Sequence, residues 1–456
     1  MSLVHVNVQE SPPAEVSSVV EHLFRHEAGK MVATLTGIFG IEHLTLAEDV
    51  VQEALIRALR TWPFYGVPQN PPAWIMRTSR NLALDVVRRD KVFRDKQAEI
   101  IRVMEPPGPA PEAAVFTEQE IADDHLRLMF VCCHPLIPAE AQAALALKTL
   151  CGFSVTEISH AFLTTEAVIA KRLTRAKQKI REARIQFEIP AGEELGRRLD
   201  SVLQTPYLLF NEGYKASGGE KLVREDICQE AIRLTGFLAE HPVGDQPQTH
   251  ALLALMLLNT ARLPARSDGE GNLLRLQEQD RVLWEQPVIA RGMFHLARSA
   301  AGETLSRYHL EAGIAACHCA AKDYESTDWP RILALYERLM AFDDSPVVAL
   351  NRAVAVANVH GPEAGIAAVE AIPNRAQLDA YYLLYAVLGE FEARRANHPS
   401  AAAYFRQAQE LAGLKSEKVF LGRRIQDCEE ELVLSPSCTE EAAETRSQRR
   451  VPWGAG

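Results

Sequence analysis

The stretch FSVTEISHAFLTTEAVIAKRLTRAKQKIRE, residues 153–182, decides how this chain is read. Just after Gly152, Ser154-Val155-Thr156-Glu157 form a capping box, in which the Ser and Glu side chains satisfy each other's unpaired amides and start a helix. That short helix carries Ile158, Ala161 and Phe162 on one face. A brief turn follows at Leu163-Thr164, and Thr164 or Thr165 can cap the next helix. In the second helix Ile169, Leu173, Ala176 and Ile180 recur at i, i+4, i+7 and i+11, a single apolar stripe. At about 100° per residue, Lys171, Thr174, Arg175 and Gln178 point the other way. An apolar back and a cationic front after a tight turn describe a helix-turn-helix. Its second helix suits a DNA major groove, where Arg or Lys bridges phosphates or reads guanine edges. A basic amphipathic helix alone would equally suit a solvated bundle; the capped short helix and the turn favour DNA.

Outward from this motif the chain stays helical. Strand-like alternation is almost absent and helical periodicity recurs throughout, so the expected fold class is all-α. Residues 17–92 form a first small helical module and residues 118–187 a second. Between them, residues 93–117 include EPPGPAPEAA, where Pro106, Pro107, Pro109 and Pro111 forbid helix and impose an extended linker. Pro190 and Gly192 close the second module. Residues 190–435 are rich in Ala and Leu and read as stacked helix pairs, an α-solenoid; residues 436–456 read as a disordered tail.

The totals agree with a multi-domain cytoplasmic protein. A chain of 456 residues exceeds one ordinary core, and 47% hydrophobic with 24% charged residues suits a globular protein. No apolar run approaches the ~20 residues a membrane span needs, and the start MSLVHVNVQESPPAEV lacks the features of a secretion signal. Eight scattered cysteines make no disulfide framework, which fits a reducing compartment. The net charge of −11 is unevenly spread: residues 1–190 hold 21 Lys+Arg against 23 Asp+Glu, and residues 191–456 hold 28 against 37. Within the first part, positive charge gathers in residues 77–96 and 166–184, with seven basic side chains in each. Two local basic helices on a neutral body suit a protein whose DNA affinity is shared with a larger partner.

In the first module, Thr45-Leu46-Ala47-Glu48 reads as another capping box. The helix after it would bury Val51, Ala54, Leu55, Ala58 and Trp62 and expose Asp49, Gln52, Glu53 and Arg57. Pro71-Pro72 then starts a helix with Ile75, Thr78, Leu82 and Val86 inward and Arg77, Arg80, Asn81 and Arg88 outward.

Three phrases carry a resemblance: AEDVVQEALIRALRTW (47–62), PPAWIMRTSRNLALDVVRR (71–89) and the stretch 153–182. In this order and at these distances they resemble the extracytoplasmic-function (ECF) sigma factors, the smallest members of the sigma-70 family. The resemblance implies two partners, core RNA polymerase, met through its β′ coiled coil and β flap, and promoter DNA. The first phrase implies a polymerase dock at Asp49, Gln52, Glu53, Ile56 and Arg57. The second implies reading of the −10 element, with Asn81 on a flipped base and Arg77, Arg80, Arg88 and Arg89 on phosphates. The third implies a −35 reader with Thr165, Glu166, Lys171, Arg172, Thr174 and Arg175 toward DNA. The chain departs from the family pattern at Ala170, where a basic residue is usual, and lacks the usual Gly or Ser in the turn. MFVCCHPLIPAEAQAALALKTL (129–150) and nearly everything after it resemble a subgroup with a long extension related to tetratricopeptide repeats.

One 34-residue repeat window fits from Tyr382. Tyr385 takes the aromatic site, Leu388-Gly389 the Leu-Gly pair, and Ala401, Phe405 and Ala408 the small-large-small set; Glu392 stands where Tyr is usual and Gly413 where Pro is. Ile332, Tyr336 and Leu339 repeat the second-helix set upstream. Such an array offers a concave surface to a protein or peptide partner, or braces the sigma modules from within the chain. Cys132-Cys133-His134 and Cys317-His318-Cys319 lack the paired spacing of a structural zinc site and read as core. No phosphate loop, triad or paired carboxylates stand out, so neither catalysis nor a metal or cofactor is expected. Besides a sigma factor, two other readings remain. One is a stand-alone helix-turn-helix regulator with a ligand- or peptide-sensing repeat domain; the other is an interaction protein with vestigial DNA modules. Only a polymerase subunit needs the Asp49/Gln52/Glu53 dock.

Overall fold

Proline placement sets many of the helix starts. Pro71, Pro247, Pro287, Pro330, Pro346, Pro362 and Pro399 all stand at the first or second position of a helix, where the missing N–H would have no helical partner. The computed structural model describes residues 14–98, 118–162, 164–214, 224–269, 272–302 and 304–434. Among these residues there are nineteen α-helices and no β-strand, so the protein is all-α. The chain divides into two compact units, residues 1–209 and 210–456.

The first unit starts with α1 (Ala14–His26), α2 (Ala28–Phe39), α3 (Leu44–Tyr65) and α4 (Pro71–Ala98). It continues with α5 (Glu118–Cys132), α6 (Ala139–Thr149), α7 (Val155–Ala161), α8 (Glu166–Glu182) and the start of α9 (Glu193–Tyr214). α3 buries Val51, Ala54, Leu55, Ala58 and Trp62, the stripe its sequence sets out. α4 differs from expectation. Its inward stripe is Ile75, Ser79 and Ala83, while Val86 is exposed and Thr78 and Leu82 are only half-buried. Ser79 can take a core position because its hydroxyl donates back to the Ile75 carbonyl at 2.8 Å. α4 also runs on to Ala98, into the segment expected as linker; residues 99–117 and the tail 436–456 lie outside the described residues.

α5 packs against α2, which joins the two expected modules into one body. The division between units falls inside α9, at Leu209/Phe210, well past the expected boundary at Pro190. The reason lies in side chains on the first half of α9. Arg198 donates to the Phe130 carbonyl at 2.9 Å and lies over that ring, and the Thr205 hydroxyl meets Gln142 Oε1 at 3.2 Å.

The second unit continues with α10 (Glu225–Glu240), α11 (Pro247–Thr260), α12 (Gln286–Ser299), α13 (Arg307–Ala320) and α14 (Trp329–Leu339). It ends with α15 (Pro346–His360), α16 (Pro362–Glu370), α17 (Tyr382–Arg394), α18 (His398–Leu411) and α19 (Lys415–Leu434). From α10 onward most consecutive helices pack on one another. The 34-residue window falls on the pair α17 and α18, with Ala401, Phe405 and Ala408 wholly buried. Gly389 is what allows this pair to close: a Cβ there would stand 2.7 Å from the Phe405 ring. Ile332 and Leu339 of α14 are likewise core, with Tyr336 packed beside them. The loop between α11 and α12 ties distant helices together. Arg281 donates to the His318 and Ala321 carbonyls at 2.7 Å, Arg275 meets Glu390 of α17 at 3.3 Å, and Asp268 meets Arg423 of α19 at 3.5 Å.

Gly389→Ala should therefore destabilise the second unit by about 1–3 kcal/mol through overpacking against Phe405. Denaturant unfolding of the full chain measures this, and an unchanged midpoint would contradict the packing described.

Candidate nucleic-acid interface

The helix pair α7–α8 is capped as its sequence indicates. The Ser154 hydroxyl accepts from the Glu157 amide at 3.1 Å, and Glu157 Oε2 accepts from the Ser154 amide at 2.7 Å. Thr165, not Thr164, caps α8, its Oγ1 accepting from the Val168 amide at 3.4 Å. Leu163 of the turn lies outside the described residues. Ile169, Leu173, Ala176 and Ile180 are buried, so Thr165, Glu166, Lys171, Thr174 and Arg175 reach solvent together. Glu166 is fixed by the Thr156 hydroxyl at 2.8 Å, and the Thr174 hydroxyl donates to the Ala170 carbonyl at 2.8 Å. Arg172 is half-buried at the edge of this face and held by Glu140 of α6.

The first two site groups lie on α3 and α4. Asp49, Gln52, Ile56 and Arg57 are exposed on α3, and Glu53 is half-buried with its carboxylate 3.0 Å from Arg57 Nε. On α4, Arg77, Asn81, Arg88 and Arg89 are exposed and Arg80 is half-buried. The last turn of α3 ends in an exposed aromatic pair that the sequence pattern does not single out. Phe64 and Tyr65 are 79% and 88% exposed. Aromatic faces held in water are the surfaces on which unpaired bases stack.

The structure also overturns one local reading. Thr45-Leu46-Ala47-Glu48 is not a capping box, because α3 already begins at Leu44 and its N-cap, His43, makes no side-chain cap. Glu48 is instead buried, 8% exposed, and faces the other module. Its carboxylate accepts from the Thr149 hydroxyl at 2.7 Å and from the Lys177 ammonium. A second tie joins Arg25 of α1 to Glu157, with the guanidinium 4.7 Å from the centre of the Phe153 ring. Gly152, which precedes Phe153, has φ +69°, and a Cβ there would stand 2.6 Å from the Phe24 carbonyl, so the backbones touch.

These contacts set the local electrostatics. Burial, and then the neighbouring Glu48, push the Asp49 carboxyl up, against the pull of Lys177 and Lys148. Burial would push Glu157 up as well, but the Ser154 hydrogen bonds and Arg25 outweigh it and hold the carboxyl low. Cys132 and Cys133 are core residues whose thiols are pushed up by burial, Cys133 to about 11. Burial likewise raises Cys319 to about 11. No group of three or more metal-ligating side chains occurs among the described residues, and no helix there is long and apolar enough to cross a membrane.

Residues 23–92, the helices that present the α3 and α4 faces, match the family model of Sigma-70 region 2. Along most of its length it belongs to one family with an uncharacterized protein of Rhizobium meliloti (strain 1021), 38% identical over 83% of this chain and 89% of that protein. It is also similar to the ECF RNA polymerase sigma factor SigE of Mycolicibacterium smegmatis, 27% identical over 36% of this chain and 60% of that one. Residues 198–300 match a family of unknown function (DUF6596). No solved structure matches.

The corrected role of Glu48 is open to measurement. Glu48→Ala strands Lys177 and Thr149 and should cost the first unit about 3 kcal/mol. Thr45→Ala should change stability by less than about 0.5 kcal/mol, since an exposed residue inside a helix caps nothing. Urea unfolding with hydrogen exchange read on α8 separates the two. A larger loss for Thr45→Ala would restore the capping box.

Proposed function

We propose that this chain is an RNA polymerase sigma factor of ECF type, a dissociable subunit of the cytoplasmic enzyme that directs initiation at a limited set of promoters. The observation that supports this best is one small unit carrying three outward faces with cores behind them. The α3 face, Asp49, Gln52, Glu53, Ile56 and Arg57, is the dock for the β′ coiled coil. The α4 face reads the −10 element. Asn81 bonds the edge of an unstacked base, Arg77, Arg80, Arg88 and Arg89 hold phosphates, and Phe64 and Tyr65 offer stacking surfaces. The α8 face enters the major groove at the −35 element as the second helix of a helix-turn-helix, with Lys171 and Arg175 foremost and the β flap as neighbour. The polymerase supplies the chemistry of RNA synthesis, so the chain itself is not an enzyme.

The second unit is a tetratricopeptide-like array, and we assign it a supporting role that activity requires rather than a groove for a protein or peptide partner. The ties of the α11–α12 loop to α13, α17 and α19 favour this, since they engage the array's own side chains. A stand-alone DNA-binding regulator is the competing reading. Transcription with core polymerase, run beside gel shifts without it, distinguishes the two.

Gln52→Ala with Glu53→Ala should lower affinity for the isolated β′ coiled coil about tenfold or more and leave folding nearly unchanged, because Glu53 forms only an exposed ion pair. Unaltered binding in calorimetry would remove the polymerase reading. Asn81→Ala should impair strand opening more than initial complex formation, because the amide meets a base only after unstacking. Permanganate reactivity of −10 thymines at the wild-type level would count against the assignment of α4.

A further inference from the structure

Not all of the charge on α8 is available to DNA. Arg172 follows the exposed Lys171 and precedes Arg175 by three residues, at the border of the outward face. Its Nη2 lies 2.6 Å from Oε2 of Glu140, with Arg172 29% and Glu140 75% exposed. Glu140 belongs not to α8 but to the first turn of α6, which packs along α8. An acid in a helix's first turn meets the positive end of the macrodipole, so α6 holds this carboxylate comfortably where it stands. The other α8 cation held by a neighbouring helix, Lys177, is engaged by the buried Glu48 in the joint between modules. Glu140 is different because it is mostly in water, beside the face that would meet DNA.

We propose that Glu140 masks Arg172 and so limits the hold of α8 on the phosphate backbone. The proposal rests on the reading of α8 as the DNA face and adds an affinity-limiting residue outside that helix. The physical case has two parts. An ion pair whose carboxylate is mostly in water contributes little to folding, so a phosphate can compete for the guanidinium. Once Arg172 turns to a phosphate, however, Glu140 is left as a bare anion within the ~10 Å over which charges interact at 0.1 M salt. Each binding event therefore both breaks the pair and brings two like charges together. The consequence is a reader that holds DNA weakly alone and needs the polymerase to bring it to a promoter.

The test uses the full-length chain, alone and with core polymerase, on a short random-sequence duplex across a salt series. Glu140→Gln keeps the shape and removes the charge. It should bind roughly three- to tenfold tighter near 0.1 M salt, with the slope of log K against log salt steeper by about one. In an Arg172→Ala background the same change should bring little gain. A role confined to folding would move the melting temperature and leave the salt slope alone. The proposal is overturned by an unchanged slope in Glu140→Gln, or by an equal gain with Arg172 absent. If neither wild type nor variant binds the duplex even with polymerase present, the DNA reading of α8 itself fails, a result distinct from both.

Discussion

A buried carboxylate on an otherwise apolar helix face must be given donors, and Glu48 finds both of its donors in the other module. Burial of an ionised carboxyl without partners is costly by several kcal/mol, so the Thr149 hydroxyl and the Lys177 ammonium are conditions for α3 to pack where it does. Thr149 ends α6 and Lys177 lies in the middle of α8, so this one side chain fixes α3 against both helices that frame the basic face. The Arg25–Glu157 pair and the close backbone approach at Gly152 add a second tie at the start of α7. Within the first unit, the orientation of the α8 face relative to the α3 face follows from these contacts.

How much of this was legible depends on how local the determining interaction is. The capping box at Ser154–Glu157, the Thr165 cap and the stripe Ile169, Leu173, Ala176 and Ile180 involve partners within a few residues, and reading them needed no tertiary information. The stripe on α4 is not legible from hydrophobicity alone, which ranks Val86 above Ser79. A serine that returns its hydrogen to the backbone packs as a small residue, and Val86 lies beyond the partner surface. Glu48 is harder to read, since Thr-x-x-Glu is the same string whether it caps a helix or lies inside one. One signal was available. Glu48 falls on the same side of α3 as Val51, Leu55, Ala58 and Trp62, at offsets of three, seven, ten and fourteen. A charge in that stripe calls for a distant partner. Which partner it has could not be read, because Lys177 is 129 residues away.

The second unit shows the same contrast. Gly389 and Phe405 are a matched pair whose fit is visible in the repeat window. The departure from that window also has a physical reason. Where the repeat pattern has Tyr, Glu392 is buried and accepts from Asn397 Nδ2 at 2.8 Å and from Arg395, so it closes the turn from α17 to α18 from inside. A position that usually packs an aromatic ring here holds a connection in place. The sequence hinted at neither the loop between α11 and α12 nor its reach.

That loop changes what the array can be. In an open solenoid each helix pair touches only its neighbours, stability accumulates pair by pair, and the free inner surface accommodates an extended peptide. Here Arg275 and Asp268, which follow α11, are bound to Glu390 and Arg423, which belong to α17 and α19. Glu390 also takes Arg424 at 2.7 Å, so this carboxylate is shared by two guanidiniums of its own chain. Such ties couple the early helices of the unit to its last ones. Local opening at α19 then releases contacts of the α11–α12 loop as well as those with its neighbouring helix. Contacts that reach beyond adjacent helix pairs suit a scaffold that keeps one shape better than a surface that must yield to a ligand.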